Sequence, residues 1–96
     1  MMIFDSFETA AMAHQFAEHI RTEYPDRIVK EFATGRDSQT SDPFPFELNG
    51  PVVHVSRKFD YLTFPHSSEE AMRAEIAVEQ RIQRIAPQYG GDFAGT

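Results

Sequence analysis

Cysteine is absent from the 96-residue chain, which removes disulfides, thiol nucleophiles and cysteine-bound zinc from consideration. A chain this small must then be held together by its core alone. Long apolar runs are missing too: nothing approaches the roughly 20 residues that a membrane span needs, and the opening stretch MMIFDSFETAAMAHQF carries Asp5 and Glu8 where an export signal would be basic. The expected location is the cytoplasm, with neither export nor membrane insertion. Positive charge is in short supply, 9 Lys and Arg against 15 Asp and Glu for a net charge of −6, so electrostatic attraction to nucleic acid or anionic lipid is not expected. Catalytic signatures are equally scarce. The patterns GxSxG and HExxH do not occur, and Gly90-Gly91 is followed by neither Lys-Ser nor Lys-Thr, so there is no phosphate loop.

What is present is enough for one compact unit. A hydrophobic content of 41% with 9 Phe supports a single α+β domain over residues 1–96. The acid is unevenly spread: residues 1–26 carry about −4, residues 27–58 about +1 and residues 59–96 about −3. The two acidic segments are those that read as helices.

A short apolar run, Met1 to Phe4, precedes Asp5 and Glu8, whose spacing is that of a capping box. Ala10, Ala13, Phe16, Ala17, Ile20 and Tyr24 then recur at three and four, which predicts an amphipathic helix over Ser6 to Tyr24, ended by Pro25. Arg27 to Thr34 is rich in β-branched and aromatic residues and reads as a strand, with Ile28 and Phe32 facing one way and Val29 the other. The polar stretch near 35–43 is expected to be a mobile loop. Phe44 to Leu48 is at most a short edge segment, since Pro51 spoils a tight Asn49-Gly50 hairpin. Val52 to Phe59 is the best strand, with Val53, Val55 and Phe59 on one face and Val52, His54, Ser56 and Lys58 on the other. Ser67 and Glu70 form a second capping box, and Ala71, Ala74, Val78, Ile82 and Ile85 predict a helix over Ser68 to Ala86, stopped by Pro87. If the ending QYGGDFAGT returns as a strand, the order is βαββαβ. The fold then expected is ferredoxin-like, with two helices on one face of an antiparallel sheet.

Each candidate site has a plain structural alternative. His14 and His19 are five apart, about 140° around a helix, so they cannot chelate one ion as an i, i+4 pair would. They read as surface histidines. Glu75 and Glu79 have i, i+4 spacing, but a glycosidase-like role needs one of them buried, and this pair is expected near the solvent face. RNA recognition by the central strand is not expected, since PVVHVSRKF offers only Arg57, Lys58 and one terminal Phe. No cofactor and no metal site is expected. The candidates left are surfaces: acidic helix faces with Glu18, Glu69, Glu70, Glu75 and Glu79, an open sheet face with His54, and an aromatic patch with Phe44 and Phe46.

The segment AVEQRIQRIAPQYGGDFAGT resembles the end of the ribonuclease E inhibitor family, also called regulator of ribonuclease activity B. In that family a helix with Val-Glu and a following Ala leads into Gly-Gly-Glu-Tyr-Asp-Gly-Trp. Val78-Glu79, Ala86, Gly90-Gly91, Asp92 for Glu, Phe93 for Tyr and Gly95 fit the pattern. Ala94 replaces the family's Asp, and Thr96 stands at its Trp. The resemblance implies a ferredoxin-like domain that acts by binding a protein, with no catalytic residues to carry over.

Three readings follow. The first is a small non-catalytic protein-binding or regulatory module, monomeric or dimeric, that inhibits a ribonuclease or other nucleic-acid enzyme without itself binding nucleic acid or membrane. The second is a phage or mobile-element inhibitor whose acidic helices mimic nucleic acid. The third is a dimeric α+β barrel, ligand-binding or enzymatic, with His54 or His66 in a cleft.

Overall fold

The computed structural model describes residues 1–35, 48–57 and 68–96. The expected mobile loop, the Phe44 to Leu48 edge segment up to residue 47, and His66 lie outside the described residues. Within them the order is β1 (Met2–Asp5), α1 (Ala10–Glu23), β2 (Val29–Phe32), β3 (Val52–Val55), α2 (Glu69–Ile85), a 3₁₀ turn (Ala86–Tyr89) and β4 (Asp92–Gly95). It is an α+β structure whose sheet has the order β2-β3-β1-β4, every neighbouring pair being antiparallel. The 3₁₀ turn between α2 and β4 is an addition to the elements expected from the sequence.

Strand residues point alternately to the two faces of a sheet. Met2, Phe4, Val29, Val53 and Val55 join Ala13, Phe16, Ala17 and Ile20 of α1 and Ile82 and Ile85 of α2 in one core. Phe16 is its centre, with its ring 5.0 Å from Phe4 and 5.5 Å from Phe7. On the other face Ile3, Val52 and His54 are buried as well. The open sheet face expected from the alternation is therefore not open at Val52 or His54.

Both helices are capped by a side chain, in neither case the expected one: Thr9 rather than Asp5 or Ser6, and Ser68 rather than Ser67. Thr9 Oγ1 accepts from the Met12 amide at 3.1 Å, so α1 starts at Ala10 rather than Ser6. Asp5 is instead a buried strand residue whose carboxylate accepts from the Asn49 amide at 3.0 Å. Ser6 then turns the chain at φ 63°, and its own amide donates to the Asn49 carbonyl. A tertiary partner has outcompeted the local capping box. Ser68 caps α2 by accepting from the Ala71 amide, and Glu69 and Glu70 occupy the first turn, where they favour the positive end of the helix dipole.

Pro87 ends α2 but not the folded chain. Proline needs no donor in the first turn of a helical segment, and the 3₁₀ turn forms around it. Gly90 then takes the left-handed conformation at φ 79°, and the Gly91 amide donates to the Ala86 carbonyl at 3.0 Å. The chain reverses into β4, which pairs with β1 through Phe4↔Phe93 and Asp5↔Asp92. Phe93 lies 5.5 Å from the Phe4 ring while remaining 40% exposed.

Candidate functional site

The acidic surface is smaller on α2 than the sequence pattern implies. Glu75 and Glu79, expected near solvent, are each only 6% exposed. The buried stripe of α2 runs through Glu75, Glu79, Ile82 and Ile85, one residue on from Ala74 and Val78. Antiparallel pairing of β2 with β3 brings Arg27, just before β2, and Arg57, just after β3, to one end of the sheet. Those two cations draw the helix round. Arg27 grips both oxygens of Glu75 through its two terminal nitrogens, and its Nη1 also donates to the Ser56 carbonyl. Arg57 Nε donates to Glu79 at 2.5 Å. A buried charge must be paired or hydrogen-bonded, so these carboxylates hold the fold and are not part of an exposed face. Glu69 and Glu70 remain exposed, Glu69 being bonded to Arg73 one turn on.

The outer surface of α1 carries two connected sets of polar groups. In the first, Arg21 donates to Glu18 at 2.7 Å, to Glu31 of β2 at 2.6 Å and to the Val29 carbonyl at 2.9 Å. His14 Nδ1 lies 2.9 Å from Glu31. Partial burial pushes the Glu31 carboxyl up, but hydrogen bonds from Arg21 and His14 outweigh it and hold Glu31 below its ordinary value. The bond to Glu31 likewise raises Arg21. His14, Glu18 and Glu31 each place a donor atom within 4.8 Å of the others, a set that suits a divalent ion in type. Arg21 already bonds both of those carboxylates and supplies the positive charge there.

The second set lines a broad groove of about 740 Å³ formed by Gln15, Glu18, His19, Thr22 and Glu23 with Tyr89 of the 3₁₀ turn. His19 lies 2.7 Å from both the Tyr89 hydroxyl and Glu23 Oε2, through Nδ1 and Nε2 respectively. The neutral imidazole that satisfies both partners carries its proton on Nε2, donates it to Glu23 and accepts the tyrosine proton at Nδ1. The two rings meet edge to face at 5.6 Å. With both ring nitrogens occupied, His19 orders the groove and has no nitrogen left over for a substrate proton. Tyr89 is a groove residue that the sequence pattern does not single out. It lies 70 residues from His19, and no local spacing could have joined them.

His54, a candidate from the sequence, is 6% exposed, with its ring 4.7 Å from that of Phe32. Burial, aided by the positive charges of Lys30 and the N-terminus, pushes its pKa down. Its Nε2 has no hydrogen-bond partner among the described residues. A neutral, enclosed imidazole cannot belong to an exposed partner surface. Phe44 and Phe46 lie outside the described residues.

Taken from fold and site together, the chain is a small α+β domain whose exposed acids include Glu18 and Glu23 on α1 and Glu69 and Glu70 in the first turn of α2. No family model, no curated protein and no solved structure matches it. Among the described residues no helix is long and apolar enough to cross a membrane.

Proposed function

We propose that this chain is a cytoplasmic, non-catalytic protein-binding module of the ferredoxin-like class that regulates or inhibits a ribonuclease or another enzyme of nucleic-acid processing. The strand order and the core shared by both helices support the ferredoxin-like arrangement. The C-terminal resemblance to the ribonuclease E inhibitor family supports the choice of partner. The observation that carries the reading is the α1 groove, which has carboxylates on its walls and no lysine or arginine among its described lining residues. Enzymes that hold nucleic acid present basic surfaces, and an acidic face is complementary to them.

The nucleic-acid-mimic reading needs an unbroken row of acids on α2. With Glu75 and Glu79 bound to Arg27 and Arg57, only Glu69 and Glu70 of the four remain exposed. A ligand-binding barrel built on His54 has no support from its burial.

The test is calorimetric titration of the purified chain with a panel of purified ribonucleases, alongside an RNA-cleavage assay. Saturable binding with slowed cleavage is expected for at least one enzyme. Absence of both across the panel would overturn the ribonuclease reading.

A further inference from the structure

We propose that the α1 groove seats an arginine side chain from a basic segment of the partner, held between Glu18 and Glu23 and stacked on the Tyr89 ring. The inference rests on the protein-binding reading and names the chemistry that the partner must present.

Position on the helix sets the shape of the site. Gln15, His19 and Thr22 lie at i, i+4 and i+7 and share one stripe, which forms the groove floor. Glu18 and Glu23 are five residues apart, about 140° around the helix, and so stand on opposite sides of that floor. Two carboxylates splayed in this way are badly placed to close on one metal ion. They are well placed to flank a longer cationic group.

Each carboxylate has capacity to spare. Glu18 gives Oε1 to Arg21, and Glu23 gives Oε2 to His19. The second oxygen of each has no described partner, and both side chains are about half exposed, 53% for Glu18 and 51% for Glu23. Arg21 keeps its 2.7 Å bond to Glu18 Oε1 while also reaching Glu31 and the Val29 carbonyl, and His14 bonds Glu31. Neither His14 nor Arg21 lines the groove.

Tyr89 makes arginine a better occupant than lysine. Its hydroxyl is fixed by His19 at 2.7 Å, which orients the ring beside the groove without further ordering on binding. A guanidinium can lie on an aromatic face while its fork of donors reaches a carboxylate, whereas an ammonium is a compact, strongly hydrated point charge. The chain's net charge of −6 favours the encounter before any contact forms.

The experiment is an NMR amide titration of the full chain with three end-capped tetrapeptides, tetra-arginine, tetra-lysine and tetra-glutamine, with affinities measured in parallel by calorimetry. Tetra-arginine should shift the amides of Gln15, His19, Thr22, Glu23 and Tyr89, bind several-fold more tightly than tetra-lysine, and lose about tenfold in affinity in the E18Q/E23Q variant. Tetra-glutamine, which carries no charge, should leave those amides in place. Y89L should weaken binding, while Y89F, which keeps the ring and loses only the bond to His19, should retain it. Shifts centred on Glu69 and Glu70, undiminished binding by E18Q/E23Q, or no binding of tetra-arginine at all would overturn the groove assignment. Those outcomes leave the protein-binding reading to the ribonuclease titration, which involves no peptide.

Discussion

Arg27 and Glu75 form a two-pronged ion pair that joins the start of β2 to α2, with both side chains almost fully buried, at 4% and 6% exposure. One turn on, Glu79 makes a second such link to Arg57, whose side chain is 20% exposed. The middle of α2 is thus anchored by charge, and its C-terminal end by Ile82 and Ile85. Two of the four acids on α2 that pattern reading offers to a partner are structural.

Removing one half of this pair leaves an unpaired charge inside the protein. Glu75→Ala should cost about 3–5 kcal/mol of stability, whereas the double change Arg27→Met with Glu75→Met, which removes both charges at similar volume, should be near neutral or stabilising. Urea unfolding followed by circular dichroism measures both. A cost below about 1 kcal/mol for Glu75→Ala would place the pair among surface bridges.

The buried imidazole of His54 makes stability depend on pH. Its folded pKa lies below the ordinary value, so near and below about pH 6.5 the unfolded chain binds a proton that the folded chain refuses. Stability from this group is therefore fully present above that pH and is lost as pH falls toward the folded value. The urea midpoint should drop between about pH 7.5 and pH 5.5, and His54→Leu should flatten the slope. Equal slopes in the two proteins would show that His54 does not contribute.

The turn into β4 has room for glycine only. A Cβ on Gly91 would run into Cε1 and Cζ of Phe7, and that ring is 2% exposed and packed against Phe16. Gly91→Ala should cost about 1–3 kcal/mol, read as a fall of about 4–8 °C in Tm per kcal/mol. An unchanged Tm would mean that Phe7 has space to retreat.

Much of the fold was legible because the relevant signals are local. The apolar stripe of α1, the alternation of Val53 and Val55, and Gly90-Gly91 as the reversal into a final strand can all be read from neighbours in sequence. The failures share one physical cause, which is competition from distant partners. Asp5 has the spacing to cap a helix with Glu8, but the Asn49 amide claims its carboxylate. Glu75 and Glu79 look like solvent-facing acids until the pairing of β2 with β3 sets Arg27 and Arg57 beneath them. The groove depended on the longest step, from His19 to Tyr89, and only the Ala86–Tyr89 turn brings these together.

The acids on α1 make their bonds to their own helix, Glu18 to Arg21 and Glu23 to His19, rather than across the sheet. Charge reversal should therefore separate binding from folding. Glu18→Lys with Glu23→Lys should leave the far-ultraviolet spectrum and most of the stability intact, since exposed pairs contribute about 0–1 kcal/mol each. A loss of helix signal would show that these residues hold α1 rather than present a surface.

The most direct measurement is calorimetric titration of a ribonuclease with three forms of the chain: unaltered, Glu18→Lys with Glu23→Lys, and Glu69→Lys with Glu70→Lys. Saturable binding of the unaltered chain is expected, weakening as ionic strength rises from about 0.05 M to about 0.3 M because charge complementarity is screened. It should be lost on reversing the α1 pair and kept, within a few-fold, on reversing the α2 pair. Binding that survives reversal on α1, or no binding of the unaltered chain to any ribonuclease tested, would contradict an acidic regulatory module that works through the α1 groove.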